Sequence, residues 1–443
     1  MKKSLIVIAA LLLALPVVSH AGSATSRWDM VLGGYVKFDV VYADKAVGTD
    51  NRASSVDSKG SVDLATDSTS SLTWAGAETR LNWAVKGPDA WGAKTSAFVE
   101  GEFRGRTGGT EYGLFALRHA YMQMIWPKTT LLIGHTWQAW GMIPSLQILA
   151  FSEEHFNKGA TRVPQIRLTQ ALTKNFTGVF AVQAPYATSQ YTSSHGNVGI
   201  DARANGLYPD IVMDFSYATD ACGKIGSFGL KVGVGGFYGK DKYLVDNAAG
   251  AAVNFEDEKV DRYGAGFYWY VPIIPEKKGN KAGALGFTGQ LFGGKGMGIY
   301  LPAYISGAYD RANNDTVRGL TSTYEATATD LAYPMTYGGW MQGTFYFTNQ
   351  LFMNAVYGAQ FNRVSNRFKD NQPRTVNATT GFPTAGVERI QNFIVNVMYD
   401  VNPAIRFGLE YDYVTTAYAF RETVTTSNKG SFNSVRFGAY YFF

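Results

Sequence analysis

The sequence predicts an all-β protein, a 16-stranded antiparallel transmembrane β-barrel of up-and-down topology. Three observations support this fold class. Apolar and polar residues alternate along many segments, long and short links alternate between those segments, and the last segment alternates up to a terminal Phe443. A barrel strand crosses a membrane with only about 9–11 residues. Its lipid-facing residues are apolar and its lumen-facing residues are polar, so the pattern has a period of two.

The alternation is clearest in the first three predicted strands, where the charged residues share one face. This face is predicted to line the lumen and carries Lys37, Asp39, Glu78, Arg80, Lys86, Lys94, Glu100, Glu102 and Arg104. A charge on the lipid face near mid-bilayer costs roughly 2–4 kcal/mol, which explains the grouping. A soluble sandwich also alternates, so this pattern alone leaves both folds open.

The lengths of the links favour a barrel. We predict strands at 29–43, 71–86, 93–104, 114–126, 130–140, 161–171, 176–186, 209–218, 226–239, 259–273, 282–296, 334–347, 351–363, 387–400, 404–417 and 432–443. The long links are 44–70, 105–113, 141–160, 187–208, 240–258, 297–333, 364–386 and 418–431. Outer-membrane barrels have short periplasmic turns and long extracellular loops, whereas a sandwich gives no reason for this regularity.

Residues 1–21 are predicted to be a cleaved secretory signal peptide. Two lysines precede an apolar run over 5–18, and Ser19-His20-Ala21 offers the small residues that signal peptidase requires. The run is shorter than the ~20 residues of a membrane-spanning helix. We therefore expect one barrel domain over 22–443, located in the bacterial outer membrane.

Composition and motifs argue against several other classes of protein. The 443 residues have a formal net charge of +5 and one cysteine, Cys222, so neither a nucleic-acid-binding patch nor an intrachain disulfide is expected. The sequence has no CxxC motif and no GxSxG motif, and we expect no metal, no cofactor and no enzymatic activity. An outer-membrane hydrolase remains a less favoured alternative, because catalytic groups need not be close in sequence.

Short segments of the first half resemble the DcaP-like porins. They are Gly34–Asp39, Thr79–Leu81, Leu117–Tyr121, Leu132–Trp137 and Val163–Arg167. The second half is similar mainly in its strand pattern. The resemblance implies a sixteen-stranded, homotrimeric porin that admits small anionic solutes. Its subunit contact is expected on the outer wall of the first five strands, where alternation places Ala77, Ala97, Gly101 and His119 outward.

We expect a passive diffusion channel for small polar solutes, with a preference for anions such as organic acids. Link 141–160 is expected to fold into the barrel, because its apolar stretch needs burial. The predicted constriction places Arg80, Arg104, Arg118 and Arg167 on one wall, opposite Glu153, Glu154 and Lys158 of the link. Rings of basic residues favour anions. Two alternatives stay open: arginines that pair with Glu100, Glu102 and the acids of the link and only rigidify the wall, and a barrel that encloses a partner protein.

Overall fold

A computed structural model describes the parts of the chain that form the barrel and the beginnings of several links. The described residues are 28–45, 47, 69–105, 114–141, 147–149, 162–184, 206–246, 255–297, 309–310, 325–326, 331–364, 366, 369, 386–423 and 427–443. The predicted signal peptide and most of the long links lie outside these residues. Within the described part, no helix is long and apolar enough to cross a membrane.

Sixteen antiparallel strands form one closed barrel, as the alternation predicts. They are β1 (Asp29–Ala43), β2 (Ser71–Ala75 and Arg80–Lys86), β3 (Lys94–Gly105), β4 (Leu114–Ile125), β5 (Thr129–Trp137), β6 (Arg162–Ala171), β7 (Phe176–Gln183), β8 (Gly206–Ile225), β9 (Phe228–Asp246), β10 (Phe255–Ile274), β11 (Leu285–Lys295), β12 (Met335–Tyr346), β13 (Leu351–Arg363), β14 (Val387–Asn402), β15 (Ile405–Tyr418) and β16 (Lys429–Phe442). Short segments at Tyr309–Asp310, Glu325–Ala326 and Leu331–Ala332 add further pairings at the edge of the barrel or in the links.

Each strand pairs with its neighbours in the chain, and the first strand closes the barrel on the last. Pairing between β1 and β16 runs from Tyr35 opposite Phe442 to Ala43 opposite Ser434. We name the end from which the long links leave the barrel the loop end, and the opposite end the turn end. β1 begins and β16 ends at the turn end, as an even strand count requires.

The outer face is apolar along the middle of the strands. Large side chains that are exposed there include Val36, Phe38, Val234, Phe267, Leu291, Met341, Phe393, Leu409 and Phe437. Polar side chains of the same strands point to the lumen, for example Lys37, Gln290, Gln342 and Glu410. An apolar band outside and a polar lumen inside are what a lipid-exposed barrel requires.

The structure corrects the bounds of three predicted segments. The stretch 219–225, which separates the predicted strands 209–218 and 226–239, is itself strand. The reason is that β8 continues to Ile225 and β9 starts at Phe228, with Gly226 (φ +59°) in the tight turn. The hydrogen-bonded ladder of β9 and β10 also extends through the predicted link 240–258, as far as Asp246 opposite Phe255. Conversely, β5 ends at Trp137, three residues earlier than predicted.

Candidate functional site

Two irregularities of the wall position the charged residues of the first four strands. On β2, the four residues 76–79 face only three residues of β1, since Asp39 pairs with Ala75 and Tyr35 with Arg80. The hydroxyl of Thr79 fills the gap in the ladder. It accepts the backbone N–H of Lys37 over 3.1 Å and donates to the Lys37 carbonyl over 3.3 Å. Such bulges often redirect side chains close to functional sites.

The second irregularity lies on β4 and corrects the predicted direction of one side chain. Glu100 pairs with His119, but Gly101 pairs with Leu117, so Arg118 is an extra residue on β4. His119 consequently shares the inner face with Glu100 and contacts the Thr136 hydroxyl at 2.9 Å. The expectation that His119 faces outward at a subunit contact is wrong, because strict alternation does not hold across a bulge.

An ion-pair network joins β2, β3 and β4 on the inner wall. Arg118 is 1% exposed and pairs with Glu100 (2.9 Å) and Glu102 (2.6 Å). Arg80 pairs with the same Glu102 oxygen at 3.3 Å. Both arginines are therefore neutralised by acids of their own wall. Buried pairs of this kind fix side-chain positions, since removing one partner leaves an uncompensated charge.

The chain turns inward after β5. The N–H of Ala139 donates to the Gln183 side chain over 3.1 Å, and the N–H of Gly141 donates to the Asp214 carboxylate over 2.6 Å. Trp140 is fully buried against Phe237, with ring centroids 5.2 Å apart. The partners in these contacts belong to β7, β8 and β9, so the segment leaves the wall and packs against the inner face of the next strands.

Residues 147–149 lie deep in the lumen, where polar side chains hold their backbone. The Leu149 N–H donates to Glu410 over 2.7 Å, and the Lys37 ammonium donates to the Leu149 carbonyl over 2.9 Å. Lys37 also pairs with Asp39 (3.0 Å) and with Glu78. On the other side, the Asn396 amide donates to the Gln147 carbonyl over 3.1 Å. These contacts connect one short segment to strands β1, β14 and β15.

Apolar contacts also hold this segment in place. Ile148 belongs to a buried cluster with Tyr268, Tyr270, Trp340, Val356 and Ile394. Leu149 fits beside two glycines, Gly408 and Gly438, which face each other on β15 and β16. A Cβ atom at Gly438 would lie 2.8 Å from Leu149 Cδ2, and one at Gly408 would lie 3.0 Å from Leu149 Cδ1. These glycines leave the space that the leucine occupies.

The inner wall of β11–β14 is lined by uncharged amides and hydroxyls. Asn354 is the centre of one network. It accepts hydrogen bonds from the Gln342 amide (2.9 Å) and the Thr344 hydroxyl (2.7 Å), and it donates to Asn396 over 2.8 Å. The lumen therefore has a charged sector on β1–β4 and an amide-rich sector on the opposite strands.

Two lumen-facing cations differ from the buried arginines. Arg167 on β6 and Lys231 on β9 are half-buried, and neither forms an ion pair with a carboxylate in the described part of the chain. The ammonium of Lys231 lies 5.6 Å from the centre of the Tyr268 ring. By contrast, Arg262 is 2% exposed and pairs with Asp210 at 2.6 Å. Arg167 and Lys231 are thus two lumen-facing cations that form no ion pair with a described carboxylate.

The structure places the predicted constriction residues in different settings. Lys37 and Asp39 hold the segment 147–149, while Arg80, Arg118, Glu100 and Glu102 form the wall network. Arg167 lies apart from that network. The side chain of Arg104 and the residues Glu153, Glu154 and Lys158 lie outside the described part of the chain. A constriction in which basic residues of the wall face acidic residues of the link therefore stays a prediction.

Several residues of the site did not follow from the sequence. Asp214, Lys231 and Glu410 lie beyond the sixth strand, outside the set of charges that the sequence predicts in the lumen. Their apolar neighbours Met213, Phe215 and Leu409 are exposed outside, so the same alternation identifies them. Gly408 and Gly438 cannot be identified in this way. Glycine is required there only because Leu149 packs against these two positions.

A closed barrel with an apolar exterior and a polar lumen, in which β1 begins and β16 ends at the turn end, defines an outer-membrane β-barrel, and the chain belongs in the bacterial outer membrane. No protein-family model and no curated protein sequence matches it. Solved structures do match. The outer membrane channel DcaP of Acinetobacter baumannii has a TM-score of 0.64 and 15% identity, and the match covers 96% of this chain and 100% of that chain.

Two further matches support the same fold. An anion-selective porin from Comamonas acidovorans has a TM-score of 0.51 and 13% identity, with 94% of this chain and 99% of that chain covered. OprB of Pseudomonas putida has a TM-score of 0.53 and 9% identity, with 96% of this chain and 100% of that chain covered. At these identities the similarity shows a shared fold. The predicted sixteen-stranded barrel is confirmed, and the resemblance to DcaP-like porins is supported at that level.

Proposed function

We propose that this protein is a passive diffusion channel for small polar solutes, narrowed by an inward-folding segment 141–160. The hydrogen bonds that hold Leu149 between Lys37 and Glu410 carry the proposal. They join the segment to polar side chains of the inner wall, well away from the two strands that it connects. A segment held in this way divides the lumen and limits the size of solutes that pass.

We further propose a preference for anions, with Arg167 and Lys231 as the residues that produce it. Accessible cations in a narrow pore attract anions because the low-dielectric wall weakens screening. Two acids of the described lumen accept hydrogen bonds from other parts of the chain. Asp214 accepts hydrogen bonds from the Tyr268 hydroxyl (2.6 Å) and from Gly141 (2.6 Å), and Glu410 accepts one from Leu149 (2.7 Å).

The similar structures are consistent with this proposal. One is described as an outer membrane channel and another as an anion-selective porin. A homotrimer, which the DcaP-like resemblance implies, is also part of the proposal. Detergent-purified protein that ran only as a monomer without heating would contradict that part.

A barrel that encloses a partner protein is the second candidate. It requires a wide and empty lumen, whereas Trp140, Ile148 and Leu149 are each at most 3% exposed inside this barrel. The buried segment therefore favours a channel for small solutes over a barrel that encloses a partner protein.

Recordings from planar bilayers test the proposal. Purified wild-type protein should give discrete conductance steps, and a KCl gradient should produce a reversal potential of the sign expected for chloride. Folded protein without conductance would contradict the channel. Conductance with equal chloride and potassium permeability would contradict the anion preference alone.

A further inference from the structure

Basic residues lie on the outer face of the barrel at the loop end of β9–β14. We name these residues the outer basic belt: Lys240, Lys259, Lys295, Arg363 and Arg389. They share strand faces with residues that are exposed on the lipid side. On β10, Lys259 shares the outer face with the exposed Tyr263, which lies farther from the loop end. On β11, Lys295 shares the outer face with the exposed Leu291 in the same way. A cation in such a position lies outside the lumen and takes no part in solute passage.

The strand register brings three members of the belt close together. Lys295 pairs with Met335, and Met335 pairs with Arg363 on the next strand. Arg389 pairs with Phe361, two residues from Arg363, so the two arginines are diagonal neighbours on one face. Diagonal neighbours of this kind are within reach of long side chains. Two guanidinium groups and one ammonium group can therefore approach one anion from adjacent strands.

Outward aromatic residues fix the depth of the belt in the membrane. Tyr263 pairs with Lys295 on the neighbouring strand. Tyr337 pairs with Phe361, which in turn pairs with Arg389. The Tyr337 and Phe361 rings stack with centroids 5.2 Å apart, and Tyr337 is 46% exposed. Aromatic girdles mark the level where the hydrocarbon band meets the head groups. The cations beside this girdle therefore lie at head-group level.

Among the described residues, no acidic side chain forms an ion pair at the centre of the belt. Lys240 pairs with Asp261 at 3.0 Å, and Asp261 also accepts the Tyr238 hydroxyl over 2.8 Å. Lys295, Arg363 and Arg389, in contrast, form no ion pair with a carboxylate of any described residue. Arg363 is exposed, while Lys295 and Arg389 are half-buried. Three cations at the head-group level that no described acid pairs with can bind anionic groups of the membrane itself.

We propose that the outer basic belt binds the phosphate groups of phosphorylated glycolipids of the lipid A class in the outer leaflet. The loop end is the extracellular end of such barrels, so this leaflet is the one that the belt meets. Guanidinium groups bind phosphate oxygens through paired hydrogen bonds, and a neighbouring lysine adds charge. The inference depends on the membrane placement of the barrel and not on the proposed channel function.

Native mass spectrometry of the purified full-length chain in detergent, titrated with bis-phosphorylated lipid A, tests the proposal. The triple variant Lys295→Gln/Arg363→Gln/Arg389→Gln should bind roughly a hundredfold more weakly, since each surface cation contributes about fivefold to binding an anionic lipid surface. The matched control, Lys128→Gln/Lys224→Gln/Lys277→Gln, removes three exposed lysines at the turn end. It should bind within about threefold of wild type, as expected for charges far from the site.

Dephosphorylated lipid A separates phosphate recognition from simple adhesion of the acyl chains. Wild-type protein should bind it as weakly as the triple variant binds the phosphorylated form. Equal binding of both lipids by wild type, or equal binding of phosphorylated lipid A by wild type and triple variant, would overturn the proposal. Should the triple variant lose the heat-dependent gel shift of a folded barrel, Arg363→Gln alone should still weaken binding about fivefold.

Discussion

The backbone N–H of Leu149 donates a hydrogen bond to the Glu410 carboxylate over 2.7 Å, although 261 residues separate the two in sequence. Glu410 also accepts the Asn396 amide over 2.9 Å, so one carboxylate joins the lumen segment to two strands of the wall. Hydrogen bonds to a charged acceptor are worth about 1.5–3 kcal/mol. The segment 147–149 is thus held at a defined position.

Replacing Glu410 should loosen the segment. Glu410→Ala removes the acceptor of the Leu149 N–H, at a cost of about 1.5–3 kcal/mol, and should give larger and noisier single-channel conductance. Glu410→Gln keeps an acceptor oxygen and should change conductance less. Asp89→Ala is the control, since Asp89 pairs with Lys94 at an exposed turn (2.6 Å). Identical conductance of wild type and Glu410→Ala would show that this contact does not set the pore size.

Filling the space that the Leu149 side chain occupies should also displace the segment. Gly438→Ala places a Cβ atom 2.8 Å from Leu149 Cδ2, and an extra methyl in a packed site costs about 1–3 kcal/mol. We expect a lower temperature for the gel shift of the folded barrel and a changed conductance. Gly343→Ala is a matched control, because its Cβ meets no atom within 4 Å. Equal effects of the two substitutions would contradict the packing described for Leu149.

Arg118 is expected to stabilise the wall. Arg118→Gln leaves Glu100 and Glu102 without their cation, and breaking a buried ion pair costs about 3–5 kcal/mol. The unfolding midpoint in urea should fall clearly. The double variant that also carries Glu100→Gln should recover part of this loss, because one uncompensated acid is removed. An unfolding midpoint unchanged in Arg118→Gln would argue against the network.

Selectivity is expected to depend on Arg167 and Lys231. The variant Arg167→Gln/Lys231→Gln should shift the reversal potential under a KCl gradient toward the value for a non-selective pore. Its stability should change little, by about 0.5 kcal/mol or less, since neither cation forms an ion pair in the described lumen. The control Lys224→Gln/Lys277→Gln removes the same charge from exposed positions at the turn end. A reversal potential that moves equally in both variants would assign selectivity to net charge instead.

The strands could be predicted because their signal is local. Lipid on one side and a polar lumen on the other impose a period of two on every strand, and the predicted segment 351–363 coincides with β13. Strand ends were less predictable. Between β8 and β9 the ladder shifts register after Gly229, so residues near 220 lose alternation while the backbone stays extended.

The site was only partly predictable, because its geometry depends on register and on bulges. Alternation placed Lys37, Arg80 and Glu102 on the inner face, where they lie. It could not show that Arg118 is an extra residue in β4, which turns His119 inward. Nor could it show that the wall acids neutralise Arg80 and Arg118, because pairing across strands depends on residues distant in sequence.

Solute entry into liposomes tests the central claim most directly. Vesicles that contain folded wild-type protein should swell in isotonic solutions of small sugars and of small organic acid anions. The swelling rate should fall steeply with solute size, as a lumen divided by the segment at Leu149 requires. Vesicles with folded protein that swell no faster than protein-free vesicles, for every solute, would contradict the account of this barrel as a diffusion channel.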